Sequence, residues 1–250
     1  MQNDVGKIGD LANLESFDLA AFEADGKVSQ DVCNFVLTLA IIYNDLKDLI
    51  HADVTLQTQA PKTPFKISRH WGEYNGLRFH VWRLMVALFH EVLDLIRRNN
   101  KVLEDSFFKS VLSQIRREER DIWHDFISVA CDKQTASAES RFALLVRNRL
   151  VFHYDPKEIH RGYRTFFSSG SHGAERAFVS RGMDMKETRL YFADAVTRGY
   201  FMKNVDGRDT EKILVDTMTP LINLSSTLMN IIHHFIQKRR FAYRTETEET

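Results

Sequence analysis

The sequence predicts an all-α protein, a multi-helix bundle built from long antiparallel helices. Only 4 of the 250 residues are Pro and 11 are Gly, whereas 18 are Phe, 3 Trp and 7 Tyr. Residues that fill a core therefore outnumber those that interrupt helices. Apolar side chains also recur at three- and four-residue steps over long stretches. With an apolar content of 44%, we expect a single helical domain over residues 1–250, with its core at about 28–240 and a disordered tail at 241–250.

The first half of the chain predicts three or four helices. Residues 28–50 carry apolar side chains at helical spacing, and the proline-containing stretch 55–64 predicts a loop. A second and more apolar helix is expected at 74–98. One helix, or two in series, is expected at 103–131, with the charged run 116–121 as an exposed bend or face.

The second half predicts three further helices around one irregular segment. A helix is expected after the capping signal at 135–140, and Pro156 should stop it because the residue before a proline is pushed out of helical geometry. An irregular loop or small hairpin insertion follows at about 157–182. Helices are expected at 187–202 and 209–240, and Pro220 should kink the last one or lie in its first turn after a break.

The charges are unevenly distributed although the formal net charge is zero. Residues 1–60 carry ten acids and three lysines, a net charge of −7, whereas residues 141–181 carry eight Lys or Arg and three acids, a net charge of +5. A local excess of positive charge attracts polyanions such as RNA. The alternative is a solvated surface that the acidic N-terminal region offsets.

The sequence also predicts a cytoplasmic location and no membrane partner. The N-terminus is polar and acidic, unlike a secretion signal. The longest apolar run, 35–43, is far shorter than the roughly 20 residues that span a bilayer. Cys33 and Cys131 have no disulfide or zinc spacing, which indicates buried thiols in a reducing compartment.

One short segment carries groups that bind a phosphate and transfer a proton. An Arg precedes a His at similar spacing three times, about as often as chance predicts. The pair that begins at Arg83 lies in an apolar stretch. The pair that begins at Arg117 lies beside a mixed-charge run. Only Arg147 is followed by an amide, Asn148, and its partner His153 lies at a predicted helix end. Arginine is a permanent cation matched to phosphate oxygens, and histidine exchanges protons near neutral pH.

The pattern Arg-Asn-x-x-x-x-His-Tyr at a helix end resembles the motif of HEPN domains, which are helical modules that often act as ribonucleases in defence and toxin-antitoxin systems. The resemblance implies a homodimer in which both motifs line one cleft, an antitoxin or other protein partner, and RNA cleavage without a metal or other cofactor. It implies that Arg147 binds and polarises the scissile phosphate, that Asn148 orients it, and that His153 transfers the proton.

The basic segment around the motif supplies the expected RNA-binding side chains. These are Arg149, Tyr154, Arg161 and Arg164. On a regular helix, Arg147 and His153 would lie about 9 Å apart along the axis and about 120° apart around it. To act on one phosphate, they need a bent helix end or a second protomer.

Two alternatives remain at this point. Arg147 and Arg149 could be ordinary surface cations, with His153 favoured by the helix dipole, in a non-catalytic helical interaction protein. The pairs His90 with Asp94 and Asp121 with His124 have metal-ligand spacing on a helix face. However, the sequence contains no Glu-x-x-His pair, so we expect no metal site.

Overall fold

The computed structural model describes residues 15–17, 19–62, 68–131, 138–151, 155–168, 179, 188–204, 210–239 and 244–245. Within these ranges the architecture is an all-α bundle, which confirms the predicted fold class. Its helices are α1 (Gln30–Thr58), α2 (Arg69–Arg98), α3 (Asn100–Leu103), α4 (Ser106–Leu112), α5 (Arg117–Cys131), α6 (Ala138–Val146), α7 (Pro156–Ser168), α8 (Tyr191–Asn204) and α9 (Thr210–Lys238). A 3-10 turn at Leu19–Phe22 precedes α1, and a π-helical turn at Arg147–Val151 continues α6.

Several helices begin at short polar residues that bond to the backbone of the first turn. The Ser29 hydroxyl accepts a hydrogen bond from the Val32 amide, and the Ser68 hydroxyl does the same for the Trp71 amide. At α4, one Asp105 carboxylate oxygen accepts bonds from two successive amides at 2.8 and 3.1 Å. These side chains satisfy backbone N–H groups that have no partner inside the helix.

The core lies where the long helices meet. Helices α1, α2, α5 and α9 pack against one another, and α6 packs against α2. Their buried side chains form a continuous apolar cluster that extends from Val28 to Ile236. At its centre are Phe35, Phe108 and Trp123, whose rings meet edge to face.

Helices α7 and α8 form a closely packed pair at one side of this core. A Cβ added at Gly199 would lie 2.2 Å from the carbonyl oxygen of Gly162, so the two backbones are in direct contact. The pair is joined to α2 through the rings of Phe79 and Phe201, whose centroids are 4.8 Å apart. The Arg189 guanidinium, which precedes α8, donates to the Glu73 carboxylate of α2 at 3.0 Å.

The two ends of the described chain are held together. Glu15–Ser16 (β1) pairs antiparallel with Arg244–Thr245 (β2). Nearby, the buried side chain of Arg239 donates to the backbone carbonyls of Ala20, Ala21 and Glu23 and to the Asp25 carboxylate. Residues 244–245 of the predicted disordered tail thus form a strand, and the rest of 241–250 lies outside the described residues.

The structure corrects several predicted boundaries. Helix α1 continues to Thr58, so residues 55–58 are not a loop. The stretch 103–131 is divided among α3, α4 and α5. Residues 157–168 belong to α7 rather than to an irregular insertion, and 169–178 and 180–187 lie outside the described residues. Helix α9 runs without a break through Pro220.

Two side chains differ in burial from what the sequence predicts. Cys33 is buried as expected, but Cys131 is exposed at the end of α5. Glu119, in the charged run predicted to be exposed, is buried with 2% of its surface accessible. It accepts hydrogen bonds from Arg116 at 3.1 Å and from Asn230 of α9 at 2.7 Å. Burial of this carboxylate is possible because its oxygens have these partners.

Candidate functional site

The predicted motif begins on the π-helical turn Arg147–Val151. A π turn bonds each N–H to the carbonyl five residues earlier, and such single turns inside α-helices occur often at functional sites. Its wider spacing means that the angles expected for a regular helix do not hold after residue 147. His153 and Tyr154, the other members of the motif, lie outside the described residues, so their placement relative to Arg147 stays a prediction.

The structure brings Arg147 and Asn148 together. Arg147 Nη1 donates to Asn148 Oδ1 at 2.8 Å, and Arg147 Nε donates to Glu91 Oε1 on α2 at 2.7 Å. The Arg147 side chain is 32% exposed and that of Glu91 is 40% exposed. The guanidinium therefore lies at the protein surface, anchored from one side by a carboxylate.

A histidine that the motif does not include lies next to this pair. His90 Nδ1 is 3.9 Å from the same Glu91 oxygen that binds Arg147, and it has no hydrogen-bond partner among the described residues. Burial lowers the pKa of His90, although the carboxylates of Glu91 and Asp94 act in the opposite direction. Burial therefore favours the neutral form of this imidazole.

Arg149 and Asp155 join the end of the π turn to the start of α7. Arg149 forms an ion pair with Asp155, and the other Asp155 oxygen accepts hydrogen bonds from the amides of Lys157 and Glu158 at 3.0 and 3.3 Å. Desolvation opposes the effect, but these two backbone hydrogen bonds and the charge of Arg149 hold the pKa of Asp155 below its usual value. Asp155 is thus an N-cap that also neutralises one of the predicted RNA-binding cations.

Helix α7 presents a basic face immediately after the motif. Lys157, Arg161 and Arg164 are exposed and lie at four- and three-residue spacing, which places them on one side of the helix. Arg161 pairs with Glu158, whereas Arg164 has no charged partner in the described part of the chain. The rings of His160 and Tyr163 lie beside this face, 6.3 Å apart and nearly parallel.

Sequence reasoning missed part of this arrangement. The sequence did not place Lys157, His160 and Tyr163 at the site, because an irregular segment was expected after Pro156. The order Asp155, Pro156, Lys157, Glu158 is itself a helix-start signal, with a capping residue, proline in the first turn and an acid three residues after the cap. No local signal linked Glu91 to the motif, since Glu91 is 56 residues away from Arg147 in the chain. The sequence singled out His90 only for its spacing to Asp94.

The described residues include no group of three His, Cys, Asp or Glu side chains arranged to hold a metal ion. The pairs with metal-ligand spacing, His90 with Asp94 and Asp121 with His124, thus have no third ligand there. None of the described helices combines the length and the apolar character that crossing a membrane would require.

Comparison with known proteins found no matching family model, curated protein or solved structure.

Proposed function

We propose that this protein is a HEPN-like RNA-binding protein that cleaves RNA without a metal, in the manner of defence or toxin-antitoxin ribonucleases. The observation that carries the proposal is the surface pair Arg147 and Asn148 on a π turn that precedes α7 and its basic face in the chain. A guanidinium and an amide side by side offer several N–H donors to one phosphate. The basic face then extends the contact along the RNA backbone.

The chemistry assigned to the site is transfer of a phosphodiester within the RNA. His153 accepts the proton of a ribose 2′-hydroxyl as its oxygen bonds to the adjacent phosphorus. The bond from phosphorus to the 5′-oxygen breaks, and that oxygen takes up a proton from water. The products are a 2′,3′-cyclic phosphate and a 5′-hydroxyl end, while Arg147 and Asn148 stabilise the negative charge that develops on the phosphate oxygens.

The decisive experiment compares purified protein with its His153→Ala variant on labelled single-stranded RNA in EDTA. We expect cleavage by the natural protein and a rate at least about 100-fold lower for the variant, since general acid-base catalysis contributes this much. His124→Ala, which changes an exposed histidine on α5, is the matched control and should cleave normally. Intact RNA at high protein concentration, or equal cleavage by His153→Ala, would refute the catalytic proposal.

We further propose a homodimer, which brings a second copy of the motif to the cleft. The exposed side chains Val215, Ile222 and Met229 support this, because they repeat at seven-residue intervals on one face of α9. Such a stripe is typical of a helix that packs against another helix. Light scattering should give twice the mass of one chain for the natural protein and a monomer for Ile222→Glu. A natural protein that is monomeric at micromolar concentration would contradict the proposal.

A second candidate function is favoured by the ion pair between Arg147 and Glu91. A carboxylate 2.7 Å from the guanidinium occupies donors that a phosphate would need. On this alternative the protein is a non-catalytic helical interaction protein, and Arg147 fastens α6 to α2. It predicts that RNA binding, measured by fluorescence anisotropy, is absent both in the natural protein and in Arg147→Ala. An antitoxin or another protein partner is compatible with both functions.

A further inference from the structure

A long open groove runs between α1 and α2 on the side of the bundle that carries Glu91. Its volume is about 550 Å³. Side chains from both helices make its floor apolar, among them Ile42, Leu49, Leu84, Leu88 and Leu95. From residue 84 to residue 98 of α2 the groove extends about 20 Å, the length of about 14 residues of an α-helix.

The groove has acidic side chains along both edges. Asp45 and Asp48 of α1 and Glu91 and Asp94 of α2 line it, together with one cation, Arg98. Four carboxylates and one guanidinium give the lining a net charge of −3. Three of these carboxylates already have an ion pair: Asp48 with Lys47, Glu91 with Arg147, and Asp94 with Arg97 and Arg98. Asp45 has no ion pair in the described part of the chain.

The apolar floor continues onto the surface of α1. Ile41 is 62% exposed and Leu37 is 40% exposed. Ile41 is three residues after Thr38 and four before Asp45, which both line the groove, so it shares their face of the helix. Apolar side chains beside a row of carboxylates form a surface that another protein element could cover.

We propose that this groove binds a basic amphipathic helix of a protein partner. An apolar stripe on that helix would pack on the leucines, and its lysine or arginine side chains would extend to the carboxylates on both edges. The charge of the lining selects this occupant. The carboxylates along both edges disfavour RNA. Two copies of the chain that meet through this same groove would place like charges opposite each other.

Occupation of the groove also acts on the candidate site, and this step rests on the proposed function. Glu91 lines the groove and binds Arg147 at the same time. A cation of the partner that pairs with Glu91 competes with Arg147 for that carboxylate. The charge of Arg147 is then less neutralised and more available to a phosphate, so this partner increases RNA binding.

The binding step is tested directly, without RNA. The probe is a labelled 14-residue helical peptide of Leu, Ala and Lys with one apolar face, measured by fluorescence anisotropy. We expect saturable binding with a Kd of about 10 μM, about tenfold weaker binding by Asp45→Lys, and further weakening in high salt. The matched control is Asp121→Lys, the same charge change at an exposed position on α5, which should bind normally.

Controls on the peptide define what would overturn the proposal. A scrambled sequence of the same composition tests the apolar face, and a version with Glu in place of Lys tests the charge. Equal binding of the three peptides, no saturable binding, or equal loss in Asp45→Lys and Asp121→Lys would each refute the docking site. Thermal melts of the variants verify that both are folded.

The coupling is tested by adding the unlabelled peptide to protein and labelled RNA. We expect RNA affinity to rise about threefold for the natural protein and to stay constant for Glu91→Gln, which lacks the contested charge. If the peptide binds and RNA does not, the docking site stands and the proposed function fails. If RNA binds and the peptide does not, the proposed function stands and the docking site fails.

Discussion

Glu91 and Arg147 come from positions 56 residues apart and share a 2.7 Å hydrogen bond between a carboxylate oxygen and Nε. Both side chains are partly exposed, so solvent weakens their attraction and the bond contributes little to stability. Its larger effect is on the electrostatic potential at the surface of the π turn. The carboxylate of Glu91 therefore limits how much positive charge an approaching anion meets.

Glu91→Gln should strengthen RNA binding. Removal of one negative charge next to Arg147 should lower the Kd for single-stranded RNA about threefold at low salt, with a smaller effect at high salt. Anisotropy titrations at two salt concentrations measure this. Glu104→Gln, which removes an exposed carboxylate paired with Lys109, is the control. An unchanged or weaker affinity for Glu91→Gln would show that Arg147 does not contact the RNA.

Glu119 contributes to the stability of the fold. Its carboxylate is buried and joins α5 to Asn230 of α9 and to Arg116. Glu119→Ala should lower the free energy of unfolding by about 3 kcal/mol, because it leaves Asn230 without its partner and opens a cavity. Urea unfolding measures the change. Glu118→Ala, at the exposed neighbouring position, should cost less than about 1 kcal/mol.

Each helix cap can be predicted from its local sequence, whereas the contact between Arg147 and Glu91 cannot. Ser and Asp bond to backbone groups two or three residues away, so Asp105 and Ser29 act within a window that the sequence displays. The contact of Arg147 with Glu91 depends on how α6 lies against α2. Since packing of distant helices fixes that contact, no local pattern indicates it.

At the scale of elements, α7 and α8 pack closely because two facing positions are glycines without side chains. Gly162 and Gly199 face each other, and either Cβ would contact backbone atoms of the opposite helix at 2.4 Å or less. Backbone atoms move less readily than a side-chain tip. The basic face of α7 is thus positioned by the contact between these glycines.

Gly199→Ala should separate the two helices and lower the free energy of unfolding by about 2 kcal/mol, as overpacking does. Differential scanning calorimetry should show the lower melting temperature. Gly26→Ala is the matched control, because a Cβ at Gly26 meets nothing within 4 Å. Equal stability of Gly199→Ala and the natural protein would mean that α7 and α8 can shift apart at no cost.

The helices that were predicted well are the ones whose buried face is wide and regular. Helices α1, α2 and α9 carry apolar side chains at helical spacing over 29 or 30 residues. Helix α7 is short, and its exposed face is basic and aromatic. Its 13 residues contain Gly162, which suggests irregular structure in a sequence but allows close packing here.

At the scale of the whole molecule, the fold class followed from composition and periodicity, since a chain with few helix breakers and a wide apolar face has few other ways to bury it. The arrangement of the helices was not predictable from the sequence. Partly buried polar groups such as His90 depend on that arrangement, and they make stability depend on pH.

The protein should lose stability as the pH falls below about 6.5, the usual pKa of histidine. Burial lowers the pKa of His90 in the folded state, so below this pH the unfolded chain binds a proton that the folded chain resists. The melting temperature should therefore fall between pH 7.5 and 5.5. His90→Asn should flatten that decrease, whereas the exposed His124→Asn should leave it unchanged. Identical pH profiles for all three proteins would exclude His90 as the cause.

The clasp formed by Arg239, β1 and β2 has a topological consequence. Paired antiparallel strands hold residues 15 and 245 about 5 Å apart. A short peptide linker could therefore join these positions into a closed ring, which could be opened instead at the turn between α4 and α5. In such a circular permutant, the π turn and α7 keep their place inside the continuous chain.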